Sequence, residues 1–190
     1  YDTPIFVVPP GLDPRFTAPS RVAHGIAIPP ERPVVLAVGR LVPKKGHIFL
    51  LDAVAEVLKR GRVRPVVVVV GEGPEDRRIR DHPVVRDGDG IATGAVGRSI
   101  VRDLMDAADL FVQPSRVDGN GESETFGVAV VEAQLSGLPV IVSSAGALPS
   151  RVLGGRAGYV VPPDGCTEMA NAIEKLLLNA FVSYIFDFYI

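Results

Sequence analysis

The run Val66-Val67-Val68-Val69-Val70, followed at once by Gly71-Glu72-Gly73-Pro74, decides the fold. Five successive β-branched residues are apolar on both faces of a strand. That suits a central parallel strand covered by helices on both sides, not a strand with one wet face. The glycines that follow let backbone approach a ligand closely, although a plain strand-to-helix turn reads the same way.

Outward from this run, short apolar stretches alternate with helical patterns. Val34–Val38 reads as a strand and Phe49–Lys59 as a helix. Ile91–Ala95 is a weaker strand, Ile100–Ala107 a helix, and Leu110–Gln113 a strand ended by Pro114. Phe126–Ser136 is a helix stopped by Gly137 and Pro139. Then come a strand over Val140–Ser143, a short helix over Ala147–Leu153, a strand over Tyr159–Val161 and a helix over Thr167–Leu178, with Thr167 as its N-cap. Alternating β and α predicts an α/β protein with a doubly wound parallel sheet, Rossmann-like. Such sheets bind ligands beyond the carboxyl ends of their strands.

The predicted domain is thus 34–178. Residues 1–33 hold eight prolines, Pro33 included, and read as an extended connector. The tail 179–190 carries five aromatics between Phe181 and Ile190, as a last helix docking on a partner surface would, or a truncated or altered end. Glu75–Gly90, interrupted by Pro83, lacks an apolar helical stripe, which leaves helix placement there open.

With 190 residues and 47% hydrophobic content, the chain forms one domain with appended segments. A formal net charge of −2 gives no bulk attraction to nucleic acid or an anionic membrane. The single Cys166 precludes an internal disulfide framework and fits a reducing, cytoplasmic setting. No apolar run approaches the length of a membrane span. The first residue is Tyr1, so the chain reads as a piece of a longer one.

Three constellations carry chemistry. Gly39-Arg40-Leu41-Val42-Pro43-Lys44-Lys45-Gly46 directly follows the first strand. Gly39 lets the chain turn sharply, and Arg40 and Lys45 stand where a ligand would lie. A guanidinium fork and an ammonium both suit a diphosphate, whereas a solvated basic loop is the plainer reading. Lys44 is the lysine expected to face solvent. Gly71-Glu72-Gly73-Pro74 is the second constellation.

The third is Glu124-Thr125-Phe126-Gly127-Val128-Ala129-Val130-Val131-Glu132. The preceding loop, Ser115 to Thr125, is longer than the usual two to six residues of such a connection, which favours a functional loop. Backbone amides from Thr125 to Val128 begin a helix and lack intrahelical partners, so an anion fits there. Glu132 lies among apolar neighbours, and a buried carboxylate is costly without a partner. Its two oxygens can accept from adjacent hydroxyls such as those of a ribose. The plainer alternative is that Glu132 faces water. Together these residues point to a nucleotide-sugar site.

Other features are decoys. Gly88-Asp89-Gly90 with Gly94 precedes a strand and has the wrong spacing for a dinucleotide fingerprint, and no P-loop is present. His24, His47 and His82 are scattered, without metal-site spacing. Asp109 reads as local structure.

The Glu-x7-Glu segment with Phe-Gly inside it, the Gly39–Gly46 loop, Gly71–Pro74, Pro114-Ser115 and Ser136-Gly137-Leu138-Pro139-Val140 resemble the C-terminal, donor-binding half of GT-B-fold retaining glycosyltransferases of family 4 (glycosyl transferases group 1). The similarity covers roughly residues 5–178, and Gly11, Asp13, Phe16 and Pro19 resemble that family's interdomain segment. The resemblance implies that Arg40 and Lys45 neutralise the donor diphosphate and that Glu124 contacts the transferred sugar. It places Gly39, Gly71, Thr125, Phe126, Gly127 and Val128 around the donor, Glu132 on the ribose, and Val96–Arg98 near the base. It implies no cofactor and no metal, only a nucleotide diphosphate sugar as donor substrate. The acceptor would be a saccharide or lipid-linked, in surface polysaccharide or glycolipid assembly. The departures are Ser150, where the family usually has Glu, and Pro10 before Gly11. The family's N-terminal acceptor domain is not present in this chain, and membrane association would sit mainly in that half. On this reading the isolated chain turns over weakly or not at all. A non-catalytic nucleotide-sugar-binding module is the alternative. A GT-B epimerase is argued against by the Glu-x7-Glu segment.

Overall fold

The computed structural model describes residues 22–186 apart from 24, 118, 120, 122–125 and 153–157, with side chains described up to 178. Its main sheet has six strands. They are β3 (Val34–Val38), β4 (Val66–Val70), β5 (Gly90–Gly94), β6 (Leu110–Gln113), β7 (Val140–Ser143) and β8 (Gly158–Val161). Their order is β5-β4-β3-β6-β7-β8, and every pairing is parallel. This is the doubly wound arrangement expected from the alternation. A two-stranded hairpin, β1 (Val22–Ala23) with β2 (Ile26–Ala27), precedes it inside the segment read as a connector. Its strands are too short to leave a periodic signal.

The valine run behaves as its composition demands. All five residues of β4 are buried, paired from Val34↔Val66 to Val38↔Val70 on one side and with β5 on the other. Alternate strand residues feed two cores. One face presents Val35, Ala37, Val67, Val69, Val112 and Ile141 to helices α1 (His47–Arg60) and α6 (Cys166–Phe186). The other presents Leu36, Val68, Val70, Phe111 and Val142 to α4 (Arg98–Ala107) and α5 (Val128–Leu135). Each valine taken from water contributes about 1.5–3 kcal/mol, which explains why the centre of the sheet is set so firmly. Asp109 joins its two halves: its carboxylate accepts from the Val34 N–H at 2.7 Å, and its own N–H donates to the Val34 carbonyl at 3.0 Å.

Differences from the sequence reading fall at element ends and in polar stretches. Two short helices, α2 (Asp76–Arg80) and α3 (Pro83–Arg86), occupy the segment without an apolar stripe. Pro83 opens α3, and the His82 side chain caps it by accepting from the Val84 N–H at 3.3 Å. The segment read as a helix over Ala147–Leu153 is a 3-10 turn at Leu148–Arg151. Thr167 is not an N-cap. The helix already includes Cys166, and the Thr167 hydroxyl bonds the Glu56 carboxylate at 3.2 Å. Helix α6 runs on to Phe186, past the helix end expected at Leu178. Among the described residues, no helix is long and apolar enough to cross a membrane.

Candidate functional site

The strand order reverses between β3 and β6: the chain goes from β3 outward to β4 and β5, then returns to β6 and continues outward to β7 and β8. In doubly wound sheets the carboxyl ends of the two strands at such a reversal are the usual place for a ligand.

The Gly39–Gly46 loop leaves β3 there and is held by main chain. The Gly39 N–H donates to the Val70 carbonyl at 2.9 Å, and Leu41 N–H to the Glu72 carbonyl at 2.8 Å. The glycines of the second constellation act here. A Cβ on Gly71 (φ +141°) would stand 1.9 Å from the Gly39 carbonyl oxygen, and one on Gly73 (φ +157°) 2.4 Å from that of Leu41. They are packing glycines that seat the basic loop. Arg40 is exposed, whereas Lys44 and Lys45 are both half-buried. Burial therefore does not single out Lys44 as the solvent-facing lysine.

Two further contacts bring the loop of β6 against that of β3. Gly46 (φ +69°) abuts the Pro114 carbonyl, where a Cβ would come within 2.0 Å of the oxygen. The Arg116 N–H donates to the Lys44 carbonyl at 2.8 Å. The Arg116 guanidinium lies 4.0 Å from the Phe49 ring centroid and pairs with Asp164. Below it, the buried Gln113 amide donates to the Ser115 hydroxyl at 2.9 Å, and the Ser143 hydroxyl donates to the Ser115 carbonyl. Sequence reasoning missed Arg116 and this network, although Arg116 directly follows the quoted Pro114-Ser115 pair.

His47 was also missed as a site neighbour. It opens α1 and is fully buried; its polar contact is with the Arg40 main chain, and neither ring nitrogen reaches good hydrogen-bond geometry. Burial above all, then the Lys45 charge, lowers its pKa to about 4, against a weaker upward pull from the Arg40 main chain. The ring is therefore neutral near pH 7.

On the β6 side, Glu124 and Thr125 lie outside the described residues. Gly127 (φ +69°) is the N-cap of α5, in a conformation that favours glycine, and a Cβ there would meet the Leu148 side chain at 2.8 Å. Helix α5 begins at Val128, not Phe126. The exposed Phe126 carries the Arg151 guanidinium 4.3 Å from its ring centroid, and Arg151 donates to its carbonyl at 3.1 Å. Glu132 is exposed, while Val130 and Ala133 are buried. The inference that its carboxylate is buried is corrected: Val130 and Ala133 turn inward, whereas Glu132 is exposed, as are Val128 and Leu135 on the same helix. A role in binding rests on its place one turn into α5, not on a burial cost.

Beyond β5, Val96 packs half-buried against the second core, and Gly97 caps α4, whose first residue is the exposed Arg98. Gly39, Arg40, Lys45, Gly71, Val96 and Arg98 thus belong to segments just past the carboxyl ends of strands, and Gly127, Val128 and Glu132 to the start of the helix that follows β6. Among the described residues, no group of three His, Cys, Asp or Glu side chains is placed to hold a metal ion. A separate groove at the amino ends of the strands is lined by Arg32, Arg62, Arg64, Asn171, Glu174 and Lys175. Its charges are of mixed sign, and Glu174 already takes both Arg60 and Arg62, so it is a poorer candidate than the carboxyl edge at the reversal.

A family profile described as "Glycosyl transferases group 1" matches residues 32–179. A GDP-mannose-dependent alpha-(1-6)-phosphatidylinositol monomannoside mannosyltransferase of Mycobacterium tuberculosis is 30% identical over 189 residues, covering 90% of this chain and 46% of the relative. An alpha-D-kanosaminyltransferase of Streptomyces kanamyceticus is 30% identical over 156 residues, covering 77% of this chain and 37% of the relative. Among solved structures, the chain resembles Anabaena HepE in complex with UDP-glucose, with TM-score 0.68 and 27% identity over 80% of this chain and 40% of that one. Sucrose-phosphate synthase of Thermosynechococcus elongatus gives a TM-score of 0.63 at 28% identity, over 80% of this chain and 37% of that one. The chain spans less than half the length of these relatives.

Proposed function

The chain belongs to the glycosyl transferases group 1 family, and from that membership we propose that it is the donor-binding, C-terminal domain of a retaining GT-B glycosyltransferase of family 4. Its ligand is a nucleotide diphosphate sugar. The observation that carries this reading is the meeting of two loops at the reversal of strand order, with Gly46 against Pro114 and Arg116 on Lys44. That meeting sets a basic loop beside the segment leading to a glycine-capped helix start, a combination suited to a diphosphate.

In this reading Arg40 and Lys45 face the diphosphate. The α5 start, at Phe126, Gly127 and Val128, supplies amides. Glu132 takes the ribose hydroxyls, Val96 and Arg98 flank the base, and Glu124 contacts the transferred sugar. As the glycosidic bond to the leaving phosphate stretches, negative charge grows on that phosphate. Cations and amides fixed in advance stabilise this charge more in the transition state than in the ground state. Transfer needs no metal in this scheme. A second domain supplies the acceptor contacts, and the acceptor is a saccharide or a lipid-linked one in surface polysaccharide or glycolipid assembly. The relatives' names support sugar transfer from an activated donor, and the bound UDP-glucose of HepE supports the ligand class.

Calorimetry with UDP and GDP tests the reading. Affinity should fall about tenfold in Lys45→Ala, the loss of one charge-assisted contact, and also fall in Glu132→Ala. Wild-type affinity in both variants would remove the assigned roles.

A further inference from the structure

His47 is the strongest unexplained group near the reversal of strand order. Its ring is buried with no well-formed hydrogen bond, only the Arg40 main chain near it, so an apolar residue would serve α1 as well if packing were the only demand. The ring's surroundings suggest another demand. Gly39 has no side chain, and the position its Cβ would take is bordered at contact distance by Lys45 Cδ at 3.7 Å and by His47 Nε2 and Lys45 Cε, both at 3.8 Å. Imidazole and lysine stem thus flank the same residue, Gly39, just past the carboxyl end of β3, with His47 opening a 14-residue helix capped by no side chain. We propose that His47 is a positioning residue of the diphosphate site, bracing Lys45 from beneath Gly39 so that the ammonium is held for the bound anion.

This rests on the donor-site reading above. The bracing is by packing: the imidazole and the lysine stem both lie at contact distance from the Gly39 Cβ position. Protonation of the ring would set two cations side by side, and burial together with the Lys45 charge keeps it neutral. Fixing a long side chain in advance spares the bound state the cost of ordering it.

The test uses this chain with UDP, inorganic pyrophosphate and uridine as probes, titrated by calorimetry against wild type, His47→Leu, His47→Gln, Lys45→Ala and the His47→Leu/Lys45→Ala double variant. His47→Leu should melt no lower than wild type, bind UDP and pyrophosphate about tenfold more weakly, and leave uridine binding unchanged. His47→Gln should recover part of the loss. Because His47 acts through Lys45, the double variant should bind no worse than Lys45→Ala alone. Wild-type affinity in His47→Leu, equal loss of uridine, or additive losses in the double variant would overturn the inference and leave the donor site standing. Failure of wild type to bind either UDP or pyrophosphate would remove both.

Discussion

The α-carbon of Gly71 lies so close to the Gly39 carbonyl that a Cβ would stand 1.9 Å from its oxygen, with Gly71 at φ +141°. Two strand ends are thereby locked together under the basic loop. Gly71→Ala must push β3 and β4 apart or break the Gly39–Val70 hydrogen bond. Urea unfolding should show a loss of more than about 2 kcal/mol, with UDP affinity falling as well.

Gly46 and Gly61 separate the cost of a left-handed backbone from that of a clash. Both have φ +69°, but only Gly46 has a neighbour in the way, Pro114 O at 2.0 Å, and nothing lies within 4 Å of a Cβ on Gly61. Gly61→Ala should cost about 1 kcal/mol, the helix-end penalty alone. Gly46→Ala should cost clearly more in the same denaturant titration, because the β6 loop must move.

The buried imidazole of His47 makes stability depend on pH. Its pKa is about 4 in the folded protein against an ordinary 6.5, so the unfolded chain binds the proton first. The contribution is fully present above pH 6.5 and is lost as pH falls toward 4. At about 1.4 kcal/mol per unit the total approaches about 3 kcal/mol. Urea titrations from pH 7 to pH 4.5 should show this fall in wild type and a shallower one in His47→Leu.

Ser143 tests the network under the β6 loop. Its hydroxyl is fully buried and donates to the Ser115 carbonyl. Ser143→Ala leaves that buried carbonyl short of a donor and should cost about 1–3 kcal/mol in thermal or urea unfolding.

The centre of this fold was legible because it is made of β-branched runs whose only stable setting is a covered parallel sheet. Val66–Val70, Val34–Val38, Leu110–Gln113 and Val140–Ser143 lie where the sequence placed them. Helix ends were harder. The start of α5 is decided by the left-handed Gly127, not by propensity, and α2 and α3 bury only Ile79 and Val84, too little for a periodic signal. The exposure of Glu132 could not be read from its apolar neighbours, because in a helix adjacent residues point in different directions. The closeness of His47 to Gly39 and of Arg116 to Lys44 depends on how two loops return to each other, which local spacing does not encode.

The central claim is that the carboxyl edge of the sheet at the β3–β6 reversal holds a nucleotide sugar. Amide chemical-shift mapping of the labelled chain with UDP and with GDP tests it most directly. The account predicts that at least one of them moves resonances of Gly39, Arg40, Lys45, Gly71, Val128 and Glu132 together. Shifts confined to the amino-end groove around Arg62, Arg64 and Lys175, or none with either nucleotide, would contradict it.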